Sequence, residues 1–527
     1  MWFTRCWLLA TALVAAVVLW PTTVQGDKYH KSDGGSAWKT RGRSAEGSAT
    51  FWREQAQAEV QRRRHLHSVE PGRHARNVVM FLGDGMSVAT LTAARTLLGQ
   101  RRNHTGEEEQ LAFEAFPTTG LAKTYCVDSQ IADSACTASA YLCGVKANLG
   151  TIGLSGDVTR RDCRSSLEPR SRLESVAAWA LADGRDAGIV TTTRVTHASP
   201  AGAFARTADR DWESDAAVLA ASVSPDVCPD IAYQLVHSHP GNQFKVILGG
   251  GRREFLPQDA IDEEGSPGKR LDGRNLIEDW QSNKITQNAS YQYVWNRDQL
   301  LKINEDLPDY ILGLFESSHM QYHMEADSSS EPTLAELTET AIRSLSRNER
   351  GFFLFVEGGR IDHAHHENMV ALALDETIEL SRAVNRATEL LSEEDSLIVV
   401  TSDHAHVMAF NGYSHRGADI LGASDDVGDD GMPYMTLSYT NGPGHRPHTG
   451  GSRVDVTVDH DFGSAAWRSH ADVPLESETH GGEDVAVFAR GPHHAVFSGL
   501  YEQHLIPHLM AMVADIPTPS DDTPTNA

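Results

Sequence analysis

Six short apolar, β-rich runs recur along the chain, with stretches of helical periodicity between them. They are Asn77–Leu82, Ala187–Thr192, Phe244–Leu248, Phe352–Val356, Leu397–Thr401 and Val485–Ala489. That alternation is the pattern of an α/β fold, a central mostly parallel sheet with helices on both faces. One intervening helix is legible in detail. Leu334, Leu337, Ala341, Ile342 and Leu345 fall on a single helical face that ends before Gly351 and feeds the strand starting at Phe352.

Residues 410–478 break the rhythm, being rich in Gly, Asp, His and Ser, and read as an insertion. The sheet-forming pattern therefore occupies 77–409 and 479–516, with an arm or short helix over 51–76 ahead of it. Arg5, the apolar run Trp7–Trp20 and Val24-Gln25-Gly26 have the layout of a secretory signal peptide over 1–26, and a run of about 14 apolar residues is too short to span a bilayer. Residues 27–50 read as a flexible leader and 517–527 as a polar, Pro-rich disordered tail. The chain stops without the terminal apolar stretch that a lipid-anchor signal needs, so a secreted protein with no stable membrane anchor is expected. Asn103 and Asn288 open sequons suited to glycosylation. With Cys6 lost in the signal, Cys126, Cys136, Cys143, Cys163 and Cys228 remain, and that odd number leaves at least one free thiol. A formal charge of -26 argues against nucleic acid or an anionic membrane as partner, because both need a basic surface.

Three of the expected strands run into acidic or His-containing turns: Gly83-Asp84-Gly85, the segment Glu357–His366, and Ser402-Asp403-His404. Ligands of an open parallel sheet gather beyond the carboxyl ends of its strands. Carboxylates converging there would repel one another unless cations lay between them, and a mixture of imidazole and carboxylate suits zinc while oxygen donors suit magnesium. Taken alone, Gly83-Asp84-Gly85 is an ordinary turn, and an Asp-His pair at a strand end is usually a surface or satisfied core group. Asp362 and His366, four apart on one helical face, can chelate. A second element, Ala132–Tyr141, has small helix-compatible residues after Asp133-Ser134. Either residue could simply cap that helix; alternatively Ser134 sits at a helix N-terminus, where free N–H groups favour a phosphate.

These residues, together with Phe81–Met86, Asp133-Ser134-Ala135, Thr191–Gly202, Val246–Arg252, Gly351–Glu367, Thr401–His404, Asn441–Gly444 and Glu478–Glu483, carry a resemblance: from about Phe51 to His508 the chain resembles an animal-type alkaline phosphatase. The resemblance implies hydrolysis of phosphate monoesters through a phosphoserine at Ser134, with two Zn2+ and one Mg2+. It assigns Asp362, His366 and His480 to one zinc, and Asp84, Asp403 and His404 to the other, with Ser134 as its reacting ligand. Asp84 would bridge to magnesium, completed by Ser199 and Glu357, with His197 just outside. Arg210 would hold the phosphate oxygens; otherwise it is a surface ion pair with Asp209 or Asp211.

The resemblance also suggests a Ca2+ site from Glu316, the Phe315 carbonyl and Glu331, with Glu263 or Glu264 as a further ligand. It implies a Cys163–Cys228 disulfide, a homodimer crossed by the N-terminal arm, and a crown subdomain over 410–478. Cys126 with Cys136 is then a second pair and Cys143 the odd thiol. Ser87 and Cys136 stand where many relatives carry small residues, and the C-terminal cysteine pair of vertebrate members is missing. Two related activities compete. Sulfatase chemistry would need a Cys-x-Pro-x-Arg segment, which does not occur, and against a phosphodiesterase stand the complete third-metal set Asp84, Ser199 and Glu357 and a serine at the nucleophile position. A catalytically silent binding protein is the third reading, and every expected catalytic position is intact.

Overall fold

A computed structural model describes residues 44–70 and 72–518. The expected signal peptide, most of the leader and most of the tail lie outside the described residues. Eight strands are numbered here: β1 (Asn77–Gly83), β2 (Thr118–Lys123), β3 (Asp186–Arg194), β4 (Val246–Gly250), β5 (Tyr291–Val294), β6 (Tyr310–Leu314), β7 (Phe352–Gly358) and β8 (Ser396–Thr401). With Val485–Arg490 and Gly499–Glu502 they form one ten-stranded sheet. Its order is Gly499–Glu502, β2, Val485–Arg490, β8, β1, β7, β3, β4, β6, β5. Val485–Arg490 runs antiparallel to both neighbours, and the other pairings are parallel.

Every residue of β1, β7 and β8 is buried, because both faces of the sheet are covered. Alternate residues of β1 feed two cores. Val78, Met80 and Leu82 pack with Phe353, Phe355 and the helices Ser134–Cys143, Val176–Ala182 and Leu505–Ala514. Val79 and Phe81 pack with Leu354, Val356 and the helices Val88–Gln100, Leu334–Leu345 and Val370–Leu390. The helix read from its apolar face spans Leu334–Leu345 and starts with a reciprocal cap. Thr333 Oγ1 accepts from the Glu336 amide at 3.3 Å and Glu336 Oε2 from the Thr333 amide at 3.0 Å.

All six expected strands are present, with one shift: β4 begins at Val246, since Phe244 closes the short turn Gly241–Gln243. Four strands were not expected: β2, β5, β6 and Gly499–Glu502. They sit toward the two margins of the sheet, and β2 alternates buried and exposed residues instead of running apolar.

Residues 410–478 contain the hairpin Ala423–Val427 with Pro433–Met435 and most of a small sheet of Met408–Phe410, Leu437–Gly442 and Ala471–Pro474. Met435, Val456 and Trp467 form a separate small core there. Ahead of β1, the helix Ala49–Leu66 buries Trp52 and Ala56 against its own chain, with the Trp52 ring 4.9 Å from His504. Arg63 donates to the carbonyls of Val496 at 2.7 Å and Ser498 at 2.6 Å.

Candidate active site

The sheet order places β8, β1, β7 and β3 side by side. Their carboxyl ends therefore release Asp403 and His404, Asp84, Asp362 with His366, and His197 with Ser199 next to one another, although these residues are spread over more than half the chain. Across the mouth lies the helix Ser134–Cys143. Asp133 is its cap, accepting from the Cys136 amide at 3.1 Å, so Ser134 is the first helical residue and its hydroxyl is not spent on capping. Ser134 Oγ lies 3.2 Å from His404 Nε2, fully buried.

Around this serine are three overlapping groups of metal-ligand type. Asp362 Oδ1 lies 3.3 Å from His366 Nε2, 3.4 Å from His480 Nε2 and 2.8 Å from His406 Nε2. His404 Nε2 lies 3.1 Å from Asp403 Oδ2 and 3.4 Å from Asp84 Oδ1, and Asp84, Asp362 and His404 form the second group. Asp84, His197 and Glu357 form the third, and Ser199 Oγ donates to Asp84 Oδ2 at 3.3 Å. Thr191 and Thr193 direct their hydroxyls at Glu357 Oε2.

The chemistry of this donor set fits divalent cations. Asp84 Oδ1, Glu357 Oε1, Asp362 Oδ2 and Asp403 Oδ2 are buried without a hydrogen-bond partner, and a buried carboxylate oxygen left in that state is costly unless a cation meets it. Burial, and then the charges of Asp403, Asp362 and Glu357, push Asp84 well above the usual carboxylate range. Burial opposed by the Gly85 amide, and reinforced by Asp362, moves Asp403 up to about 7. Glu357 is raised by burial as well. For Asp362 burial acts upward too, but His366, His406 and His480 overcome it and hold the group well below its ordinary value. His480 is pushed down to about 4 by burial, which keeps its imidazole neutral and able to ligate.

Arg210 is not a surface charge. It is buried, its Nη1 lies 3.1 Å from Asp133 Oδ2, and its Nη2 lies 3.4 Å from His197 Nε2. Asp209 and Asp211 are instead bound by Arg160. Two site residues escaped sequence reasoning. His406 joins Asp362, His366 and His480, and its other nitrogen meets Glu478 Oε2, with Glu478 Oε1 accepting from the Val407 amide at 2.8 Å. The signal was the two-residue step from His404 to His406. Its meaning depends on the short antiparallel pairing of His406 with His480.

Of the expected calcium ligands, Glu316 and Glu331 are both tied to Gln321. Gln321 Nε2 donates to Glu316 Oε1 at 3.0 Å and the Gln321 amide to Glu331 Oε1 at 2.8 Å. Glu263 and Glu264 instead face Arg252. Cys126 pairs with Cys136 and Cys163 with Cys228, while Cys143 is free and buried. Asn103 and Asn288 are exposed.

Carboxylates and imidazoles gathered beyond the strand ends of a parallel sheet, with a serine at a helix N-terminus facing them, define the class: a metal-dependent α/β hydrolase. A family model described as alkaline phosphatase matches residues 75–516. The membrane-bound alkaline phosphatase of Bombyx mori is 61% identical over 492 residues, covering 93% of this chain and 90% of that one. The tissue-nonspecific isozyme of Homo sapiens is 44% identical over 472 residues, covering 88% of each. Among solved structures, Thermus thermophilus alkaline phosphatase aligns with a TM-score of 0.60 at 22% identity, covering 88% of this chain and 96% of that one, a likeness of fold. The chain belongs to the alkaline phosphatase family, and its reaction is the hydrolysis of phosphate monoesters.

Proposed function

We propose that Ser134 is the group that takes the phosphoryl, and that Asp362, His366 and His480 hold one zinc, Asp84, Asp403 and His404 a second, and Asp84, Ser199 and Glu357 a magnesium. The observation that carries this reading is the set of four buried carboxylate oxygens that no hydrogen bond satisfies, gathered around one buried serine. Bound cations would supply charge neutralisation and polarise phosphoryl oxygens. The chain's own groups do the rest. Ser134 Oγ attacks phosphorus as the ester P–O bond breaks, and the alcohol leaves with a proton. Water then attacks the phosphoserine, returning the Ser134 hydroxyl and releasing inorganic phosphate. In the first turn of the helix Ser134–Cys143 the Cys136 amide is held by Asp133, which leaves the Ser134 and Ala135 N–H groups to meet the transferring anion. Arg210, oriented by Asp133, offers a planar fork to two phosphoryl oxygens. His406 and Glu478 orient Asp362 from behind.

A calcium ion on Glu316, Glu331 and the Phe315 carbonyl, completed by Glu263 or Glu264, belongs to the same proposal. Burial, and then the Glu316 charge, raise Glu331 to about 8, the behaviour of a carboxylate placed for a cation. Residues 410–478 act as a crown over the catalytic unit, supported by their separate core. A homodimer is supported by Leu121 and Leu500, register partners at one sheet margin that are 39% and 52% exposed. Extracellular placement is supported by the two disulfides. Among the described residues no helix is long and apolar enough to cross a membrane.

Purified protein should hydrolyse a chromogenic aryl phosphate, with little action on the matching diester or sulfate, and metal analysis should find zinc with magnesium. Preference for the diester, or full recovery of a chelated sample with magnesium alone, would overturn the assignment.

A further inference from the structure

We propose that Arg160 is a positioning residue for Arg210, acting by occupying the two carboxylates that would otherwise compete for it; the inference rests on Arg210 as the phosphate-binding arginine. Arg210 is flanked in sequence by Asp209 and Asp211, the nearest partners any flexible guanidinium would find. Both are taken. Arg160 Nε donates to Asp209 Oδ1 at 2.9 Å, and its Nη2 lies 2.8 Å from that oxygen and 2.9 Å from Asp211 Oδ2. Arg161 Nε donates to the other Asp209 oxygen at 2.8 Å. One planar fork thus bridges the carboxylates on either side of Arg210, which a point charge such as Lys cannot do.

A second contact ties Arg160 to the cradle of Arg210. A Cβ on Gly150 would come 2.4 Å from Arg160 Cδ, so the Arg160 stem lies directly on that glycine. Gly150, at φ +74°, uses its carbonyl to accept from the Arg210 amide at 2.9 Å. Its amide donates to both oxygens of Asp133 at 3.1 Å, and Asp133 is the residue that holds the Arg210 side chain. Arg160 therefore braces the backbone of Arg210, the loop beneath it and its flanking charges at once. With Arg160 removed, Asp209 keeps only its ion pair with Arg161 and Asp211 loses the guanidinium that holds its Oδ2, and the guanidinium of Arg210 is drawn away from Asp133.

The test is a double-mutant cycle of Arg160→Gln with Arg210→Ala, reading inhibition by inorganic phosphate, kcat and KM for an aryl phosphate, and thermal stability. Arg160→Gln alone should weaken phosphate inhibition and kcat/KM by roughly ten- to hundredfold through misplacement of Arg210. In the Arg210→Ala background it should change neither. Arg160→Lys, which keeps the charge but loses the bridge, should fall between, and carries the test if the Gln variant does not fold. Equal factors with and without Arg210 would show that Arg160 acts independently, and unchanged phosphate inhibition in a folded Arg160→Gln protein would equally overturn the proposal. Unchanged inhibition in Arg210→Ala alone would instead refute the reading of Arg210, and the inference with it.

Discussion

Stripping the cations from the folded protein should destabilise it by an amount that grows with pH. The reason lies in Asp403, fully buried at the end of β8. Without cations its folded-state value is about 7 against an ordinary 3.8, so the folded chain holds a proton that the unfolded chain releases from about pH 4 upward. A raised folded value stabilises only while that proton is on. The contribution is lost as pH rises through 7, and at roughly 1.4 kcal/mol per unit the loss above pH 8 is about 4 kcal/mol from this group alone. Asp84 and Glu357 shift in the same direction and add to it. Asp362 is shifted the other way, and its contribution is constant from pH 6 to 9. An unfolding entropy of about 2 cal/mol/K per residue makes roughly 1 kcal/mol/K for a chain of this size, so the loss corresponds to about 4 °C or more in Tm. Melting curves of chelated and metal-loaded protein at pH 9 and pH 6 measure it. The gap should be at least about 4 °C at pH 9 and about 1 to 2 °C smaller at pH 6, where Asp403 keeps most of its proton. Equal melting temperatures at pH 9, or a wider gap at pH 6, would refute the reasoning.

His406→Ala removes the group that meets Asp362 at 2.8 Å without removing any of the three proposed ligands of that zinc. Zinc affinity, read by metal analysis after graded dialysis, should fall by roughly ten- to a hundredfold, and undiminished retention would leave His406 a packing residue only. Cys143 is 4% exposed and burial pushes its thiol up to about 12. Alkylation under native conditions should spare it and label it after denaturation; rapid native labelling, or a peptide linking Cys143 to another cysteine, would contradict the disulfide scheme.

The sheet was legible because strands covered on both faces cannot hide their apolar character, and the site because three of them end in acidic or imidazole-bearing turns. What topology adds is neighbourhood: β8, β1, β7 and β3 come from distant parts of the chain and only their pairing brings Asp403, Asp84, Glu357 and His197 together. β2 was not legible, since its margin position lets Thr119 and Leu121 face solvent and removes the continuous apolar signal. His406 was invisible for a related reason, its role being fixed by a pairing with His480 across a long insertion. Local sequence also offers Asp209 and Asp211 as the partners of Arg210. The choice of Asp133, 77 residues away, follows from Arg160 having taken both.

The central claim is that phosphate passes through Ser134. Rapid acid quench of the enzyme with inorganic phosphate or an aryl phosphate at low pH, followed by peptide mapping, locates any covalent phosphate directly. The peptide containing Ser134 should carry it, and Ser134→Ala should abolish the label and lower turnover by several orders of magnitude while keeping the fold. Label on another residue, or undiminished labelling of the Ser134→Ala protein, would contradict the account.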